Sequence, residues 1–176
     1  MEEKFMREAI KLAERAKKRG EVPIGAVVVL NGKIIGKGYN LRTRLQMATA
    51  HAEMRAIDRA CKKEHSWRLP EAELYVTLEP CPMCMGAILN ARIRRVYFGA
   101  YEQKGRSLTE ALANANLLNH KVEVTGGVLE GECSAVLTSF FTEMRAREKA
   151  EKECKKAQKA EAEAAKARRA ERLPKK

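Results

Sequence analysis

Apolar residues near the N-terminus recur every three or four positions, as they do along one face of an amphipathic helix. The cations and the glycine of residues 17–20 are typical of a helix end. Residues 24–30 are then continuously apolar, which indicates a strand covered on both faces. Asn31-Gly32 is a strong hairpin signal, so residues 33–39 are predicted to form a second strand, antiparallel to the first.

The stretch 74–90 joins a predicted strand directly to a predicted helix. Residues 74–78 are mostly β-branched, aromatic or aliphatic, and residues 79–82 stop this strand abruptly. Pro82 suits the first turn of a helix, after which residues 96–99 form another short strand. A strand, a helix and a strand in this order predict parallel pairing with a right-handed crossover.

The C-terminal part of the chain continues the alternation of helices and strands. We expect a helix over 108–118, a short strand over 122–125 and a turn at Gly126-Gly127. A last helix then carries an apolar stripe that should dock on the sheet. The members of this stripe are Cys133, Val136, Leu137, Phe140, Phe141 and Met144.

Two cysteines open the helix that follows the central strand. Cys81 and Cys84 are three residues apart, so their thiols share one face near the helix N-terminus. Unsatisfied backbone N–H groups and the positive end of the helix dipole favour thiolates there, which suits a metal. An isolated C-x-x-C is also compatible with a redox pair or with half of a structural zinc knuckle.

A histidine and a glutamate open another predicted helix, for which Thr49 is the expected N-cap. Together with the two cysteines, His51 would give a tetrahedral zinc three protein ligands. Such a zinc keeps a position for water, as catalytic sites do and structural sites do not. The metal would lower the pKa of that water from about 16 to roughly 7. Glu53, two residues from His51, is the natural proton carrier.

Other chemically notable side chains have simpler explanations. His65 and His120 have no Cys or carboxylate at ligand spacing and are expected to be surface or structural residues. Trp67 could stack on a base, but packing beside its apolar neighbours is the expected role.

The five cysteines do not form a disulfide framework, because their number is odd and two are assigned to metal. Cys61 and Cys133 fall on apolar helical stripes, as core residues do, and Cys154 lies in a charged segment. The cysteine usage favours a reducing compartment, and the chain has no apolar segment long enough to cross a membrane. We therefore expect a cytoplasmic protein.

His51-Ala52-Glu53 followed by Pro80-Cys81-Pro82-Met83-Cys84 resembles the zinc nucleobase deaminases, whose signature is H-x-E and then P-C-x-x-C. Flanking segments are similar to the bacterial tRNA adenosine deaminases of this superfamily, and the similarity runs from about Phe5 to Met144. The segments are Glu21-Val22-Pro23-Ile24-Gly25-Ala26-Val27, Ala50-His51-Ala52-Glu53, Val76-Thr77-Leu78-Glu79-Pro80-Cys81 and Asn119-His120-Lys121-Val122-Glu123-Val124.

The resemblance implies a cytidine-deaminase-like fold: an α/β protein built as a three-layer α/β/α sandwich around a mixed five-stranded sheet. It implies hydrolytic deamination of adenosine to inosine at the wobble position of a tRNA anticodon loop, by attack of zinc-bound hydroxide on C6. It further implies one Zn²⁺ per subunit, a tRNA anticodon stem-loop as partner, and a homodimer.

The resemblance also assigns roles to individual residues. His51, Cys81 and Cys84 would be the zinc ligands, and Glu53 would be the catalytic proton shuttle. A second set would bind the substrate, including an Asn that contacts the purine and an acid that contacts the ribose. This set is Ile24, Asn40, Ala52 and Glu102.

Two departures from the family pattern keep alternatives open. Gln46-Met47-Ala48 stands where relatives usually carry Asp-Pro, which predicts a less rigid loop. The loop 102–107 is shorter than usual and begins with Glu102 instead of Asp, so the contact that distinguishes RNA from DNA is in question. The alternatives are a divergent or engineered deaminase of deoxyadenosine in single-stranded DNA or of another nucleobase, and a non-catalytic zinc-stabilised RNA-binding module.

The net charge of +12 suggests a polyanionic partner, but much of it lies at one end of the chain. From Arg145 onward there are thirteen Lys or Arg residues and six Glu, a net +7. We therefore expect a zinc deaminase domain over 1–144 and a basic tail over 145–176, helical or disordered. Glu148–Lys152 and Glu151–Lys155 should form i,i+4 pairs in such a helix. The tail is either an arm for tRNA phosphates or a solubilising extension.

Overall fold

The computed structural model describes residues 2–102, 108–115 and 119–171, with side chains up to 163. Within these residues the helices and strands follow the order expected from the sequence, apart from a short helix over Arg42–Leu45 that was not predicted. They are α1 (Glu2–Lys17), β1 (Gly25–Leu30), β2 (Lys33–Tyr39), α2 (Arg42–Leu45), α3 (Ala52–Glu64), β3 (Glu73–Leu78), α4 (Pro82–Asn90), β4 (Arg95–Ala100), α5 (Thr109–Asn114), β5 (Glu123–Thr125) and α6 (Glu130–Glu171).

The five strands form one mixed sheet in the order β2-β1-β3-β4-β5. β1 pairs antiparallel with both β2 and β3, whereas β3, β4 and β5 are parallel. The predicted hairpin and the predicted parallel pair are therefore confirmed. Asn31 and Gly32 both have positive φ, at 49° and 71°, which is the conformation that the two-residue hairpin turn requires.

Helices cover both faces of the sheet and complete the three layers. Phe5 and Leu12 of α1 pack with Val27, Tyr75 and Tyr97 on one face. The other face carries the larger apolar cluster, which takes in the small residues of α3 together with Met85 and Ile88 of α4. The predicted α/β/α sandwich is confirmed.

Helix α3 lies unusually close to β2, because β2 presents glycines to it. A Cβ atom at Gly36 would overlap the carbonyl oxygen of Ala56, and one at Gly38 would overlap that of Ala52. The residues of α3 that face this strand are correspondingly small, with Ala52, Ala56 and Ala60 completely buried. This close contact fixes the position of the N-terminus of α3 relative to the sheet.

Several expectations about individual residues are wrong. Thr49 is exposed and does not cap α3, because residues 47–50 form a turn of their own. The N-cap is His51, whose carbonyl oxygen accepts the first helical hydrogen bond, from the N–H of Arg55 at 3.1 Å. Trp67 is 56% exposed and therefore is not a packing residue, and the Arg68 guanidinium lies 4.5 Å from its ring centre.

The C-terminal elements differ in extent from the prediction. Helix α5 covers only Thr109–Asn114, and residues 116–118 of the predicted helix lie outside the described residues. Of the predicted apolar stripe on α6, Cys133, Val136 and Leu137 pack in the cluster that contains Met6 and Ile10. Phe141 and Met144 are instead 38% and 37% exposed, so the stripe docks only through its first part.

Two compact units divide the chain, Met1–Thr138 and Ser139–Lys176. The expected domain boundary at 144/145 stays a prediction. Helix α6 reaches Glu171, so the tail is helical over the part that the structure describes. The described helices include none with the length and apolar character that a membrane span needs.

Candidate metal centre

Two helix N-termini meet at one edge of the sheet, and each presents a residue that can bind a metal. His51 is the N-cap of α3 and Cys81 is the N-cap of α4, and both have extended backbones, with ψ of 157° and 166°. Pro82 occupies the first turn of α4, as predicted, which leaves Cys84 one turn further along the same face. The local signals in the sequence therefore bring the three residues to neighbouring helix ends.

The three ligand atoms are close enough to share one ion. The Nδ1 atom of His51 lies 3.8 Å from Sγ of Cys81 and 3.6 Å from Sγ of Cys84. All three atoms fall within 4.8 Å of one another. A tetrahedral zinc, with bonds of about 2.3 Å to sulfur and about 2.0 Å to nitrogen, separates such ligands by about 3.6 Å. The residues present therefore fit a zinc ion, and the cluster is able to bind a metal.

The surroundings shift the pKa values of the two thiols in opposite directions. A hydrogen bond from Cys84 lowers the pKa of Cys81 to about 4, and the neighbouring His51 adds to this effect. The same interaction with Cys81, together with burial, raises the pKa of Cys84 far above its usual range. In turn, the hydrogen bond with Cys81 raises the pKa of His51. The site thus concentrates negative charge on the Cys81 sulfur, as a metal ligand requires.

Glu53 lies in the first turn of α3 and is only 3% exposed. Burial is the main cause that raises the pKa of its carboxyl. Its Oε2 atom has no hydrogen-bond partner among the described residues. Buried carboxylate oxygens are almost always hydrogen-bonded, so an oxygen left without a partner beside a metal-ligand cluster indicates a place for a water or a substrate group.

The residues expected to bind substrate lie at the same edge of the sheet. The N–H of Asn40 donates to the carbonyl oxygen of Ile24 at 3.0 Å, which places these two residues at the ends of β2 and β1. Asn40 is 5% exposed. Glu102 follows the C-terminal end of β4, and Cys81 follows the same end of the parallel strand β3. Ala52, between the His51 and Glu53 positions, is completely buried.

Sequence reasoning gave Glu21 no role of its own, although its buried carboxylate accepts two backbone hydrogen bonds near this edge. Glu21 is 1% exposed and accepts the backbone N–H groups of Thr43 and Arg44, at 3.2 and 2.6 Å. These groups open the short helix α2 in the loop between Asn40 and His51. The sequence signal was an acidic residue immediately before an apolar strand, where a charge is out of place unless it has a partner.

Three further polar side chains hold the cysteine loop and were also missed. The Oε2 atom of Glu79 accepts the backbone N–H of Glu102 at 3.1 Å. The hydroxyl of Thr109 donates to the carbonyl oxygen of Pro80 at 3.1 Å, and that of Thr77 accepts the N–H of Gly25 at 3.1 Å. These contacts join the segment before Cys81 to both neighbouring strands.

Hydrogen bonds hold the loop that contains Gln46-Met47-Ala48, although it lacks the proline that is usual in the family. The side-chain amide of Gln46 donates to the carbonyl oxygen of Thr43 at 2.6 Å, and the N–H of Leu41 donates to that of Ala50 at 3.0 Å. The departure at Glu102–Ser107 falls largely outside the described residues, since only Glu102 of this loop is described.

The remaining histidines and cysteines lie away from the cluster of ligand atoms. His120 Nε2 hydrogen-bonds the carbonyl oxygen of Ile93 at 2.8 Å, and His65 is the exposed C-cap of α3. Cys133 is buried, Cys61 is half-buried and Cys154 is exposed. Their expected structural roles agree with these positions.

Comparison with known proteins shows that this chain is similar to deaminases. The sequence profile described as MafB19-like deaminase matches residues 1–145. A relative from Bacillus subtilis (strain 168), named tRNA-specific adenosine deaminase, is 51% identical over 151 residues, which cover 85% of this chain and 94% of the relative. A relative of the same name from Haemophilus influenzae is 45% identical over 154 residues and covers 86% of this chain and 89% of the relative.

Solved structures of deaminases are also similar to this chain. A structure from a study of A-to-I editing by tRNA:A34 deaminases superposes with a TM-score of 0.70 at 44% identity, covering 76% of this chain and 98% of the other. A guanine deaminase from Nitrosomonas europaea superposes with a TM-score of 0.68 at 23% identity, covering 78% and 83%. The second likeness, at this identity, shows the cytidine-deaminase-like fold alone.

Proposed function

The chain belongs to the MafB19-like deaminase family, with tRNA-specific adenosine deaminases among its relatives, and from this premise we propose that it deaminates adenosine to inosine in tRNA. The position we propose is the wobble adenosine of an anticodon loop. The observation that carries this proposal is the meeting of His51, Cys81 and Cys84 beside the buried Glu53, whose Oε2 atom is left without a partner in the described structure.

We propose that His51, Cys81 and Cys84 hold one zinc ion. When bound, the zinc would lower the pKa of a coordinated water and so supply the nucleophile for hydrolysis at neutral pH. Binding of the ion would displace the thiol protons, so that both cysteines would act as thiolates. The contact of α3 with β2 holds His51 in position beside them. The position at helix N-termini adds the favourable dipole for the thiolates.

Glu53 would move the protons of the reaction. Its carboxylate would take a proton from the attacking water and deliver it to the ring nitrogen of adenine. It would then take the proton of the new C6 hydroxyl group and pass it to the amine, which leaves as ammonia. Burial suits this task, because it raises the pKa of Glu53 and so makes the protonated form of the carboxyl easier to reach. One carboxylate thus serves as base and acid, and it does so without being a metal ligand.

The substrate base would enter a pocket at this edge of the sheet. We propose that Asn40 and Ile24 contact the purine, that Ala52 forms part of the pocket wall, and that Glu102 approaches the ribose. The backbone N–H of Glu102 is held by Glu79, so the segment that would meet the ribose is fixed at its start. A base can reach such a pocket only when it is splayed out of a loop or strand.

We also propose that the protein acts as a homodimer in the cytoplasm, where tRNA is its substrate. Several large apolar side chains in the segments around the site are exposed. Their exposure supports a second copy of the chain that would cover them. They are Leu45, Met47, Met83, Tyr101 and Leu108.

The experiment that tests this function compares two matched substrates. Purified zinc-loaded protein is incubated with an anticodon stem-loop RNA that carries adenosine at the wobble position, and with single-stranded DNA of the same sequence. Sequencing then reads inosine as guanosine. We expect conversion at the wobble adenosine of the RNA. Conversion confined to the DNA would establish the alternative substrate, and RNA binding without conversion would establish a non-catalytic module.

A further inference from the structure

Helix α6 continues well past the region that the family profile matches, and its charges are not mixed evenly around it. The profile ends at residue 145, whereas the helix reaches Glu171. Every residue from 141 to 163 is exposed. This part of the helix therefore packs on nothing in its own unit, and only its surface chemistry can give it a role.

Five cations lie along one face of this helix. They follow one another at intervals of four, three, four and three residues, which places all five within about 80° of the helix circumference. The stripe extends over about 21 Å at 1.5 Å per residue. We call it the basic stripe, and its members are Arg145, Lys149, Lys152, Lys156 and Lys159.

The acidic residues are arranged differently. Glu143, Glu151 and Glu161 lie about 120° or more from the centre of the stripe, on the opposite face. Glu148 and Glu153 flank the stripe. Charges that served only to stabilise the helix would be paired with opposite charges at i,i+4.

Among the described side chains, one cation of the basic stripe is paired in this way. The expected pairs Glu148–Lys152 and Glu151–Lys155 do not form, and the ion pair found among the described side chains of this stretch is Lys159–Glu163, at 3.9 Å. The other four cations of the basic stripe form no ion pair with a described side chain, although Glu148 and Glu153 flank them and Glu163 lies on the line of the stripe beyond Lys159. A helix that separates its charges in this way presents a linear positive surface.

We propose that the basic stripe is a binding surface for the phosphate backbone of RNA. The choice of RNA rests on the proposed function, because a tRNA substrate is a polyanion much larger than the pocket that takes its base. A lipid surface fits less well. Between Arg145 and Glu163 the helix has no large apolar side chain, and helices that lie on membranes need such residues opposite their cations.

The chain offers a matched control for this proposal. Lys149→Gln with Lys156→Gln removes two charges from the stripe. Arg147→Gln with Lys155→Gln removes two charges from the same stretch of helix outside it. Lys, Arg and Gln have similar helix propensities, so both full-length double variants should keep the helix, which circular dichroism checks.

The readout is the affinity for fluorescently labelled tRNA over a series of salt concentrations, with the full-length zinc-loaded protein. Each lost phosphate contact reduces the slope of log K against log salt by about 0.7 to 0.9. We expect the stripe variant to lose about 1.5 from this slope and roughly tenfold in affinity at low salt, and the control variant to lose clearly less.

Three results would overturn the proposal. The two variants could lose equal affinity for tRNA, which would indicate an effect of net charge alone, or neither could lose any. The stripe variant could also lose binding to phosphatidylserine vesicles while its tRNA binding stays intact. A protein that binds tRNA through the stripe but does not deaminate it would disprove the proposed function and leave this inference standing.

Discussion

The carboxylate of Glu21 accepts the backbone N–H of Arg44 at 2.6 Å, across a separation of 23 residues in the chain. The second carboxylate oxygen accepts the N–H of Thr43 at 3.2 Å. Helix α2 has no side-chain cap from its own N-cap residue, so Glu21 takes that place from outside the helix. The carboxylate therefore holds the loop that leads from Asn40 to His51.

The change Glu21→Gln should impair catalysis without removing the metal. A glutamine side chain has one acceptor oxygen, whereas the carboxylate accepts one backbone N–H with each of its two oxygens. Hydrogen bonds to charged groups contribute about 1.5–3 kcal/mol. Without these hydrogen bonds, the loop between Asn40 and His51 would be held less firmly. We therefore expect kcat/KM on the anticodon stem-loop to fall about tenfold or more, while the zinc content stays constant. Glu14→Gln, at an exposed position of α1, is the control. An unchanged kcat/KM in the Glu21 variant would show that the loop does not depend on this carboxylate.

The change Cys84→Ser should abolish stoichiometric metal binding. Cys84 is completely buried, and its sulfur is one of only two thiolate ligands in the cluster, so a serine hydroxyl leaves the ion with one soft ligand. Elemental analysis of the purified protein should give close to one zinc per chain for the wild type and a small fraction of that for the variant. Cys154→Ser changes an exposed cysteine of α6 and should keep full zinc content. Full occupancy in Cys84→Ser would remove Cys84 from the ligand set.

The change Gly38→Ala should destabilise the fold. The added Cβ would overlap the carbonyl oxygen of Ala52 in α3, and backbone atoms in a packed layer cannot move aside cheaply. We expect the free energy of unfolding to fall by about 1–3 kcal/mol, a change that thermal or denaturant unfolding measures readily. Gly131→Ala is the matched control, because a Cβ there meets no atom within 4 Å. Equal stability of the two variants would contradict the close contact of α3 with β2.

Much of the fold followed from signals that are local in sequence. The Asn31-Gly32 turn, the continuous apolar run of β1 and the proline at the start of α4 each act within a few residues, and the structure has them where they were expected. The same holds for the metal cluster. His51 lies at the start of α3, and Cys81 and Cys84 lie at the start of α4. The order of the strands brings these two helix ends together.

What the sequence did not predict depends on contacts across the chain. Glu21 contacts Arg44 only because β1 and β2 form a hairpin. A single acidic residue before a strand does not indicate which residue it will contact. The N-cap of α3 shifted from Thr49 to His51 because the preceding loop turns independently. The exposure of Trp67 likewise reflects tertiary placement, which neighbouring Leu and Pro residues do not determine.

The apolar stripe of α6 shows a related limit. Periodicity alone predicted that Phe141 and Met144 would be covered like Cys133, yet Cys133 is 1% exposed whereas Phe141 is 38% exposed. A helical period indicates which residues share a face, but it does not tell how far along the helix a partner surface extends.

The central claim is that Glu53 carries protons beside a metal that it does not bind, and the variant Glu53→Gln tests it most directly. The substitution keeps the size of the side chain and removes its ability to exchange a proton. The account predicts wild-type zinc content, unchanged binding of the anticodon stem-loop, and a single-turnover rate of inosine formation lower by about 100- to 10,000-fold. A Glu53→Gln protein that retains its zinc and still forms inosine at the wild-type rate would contradict it.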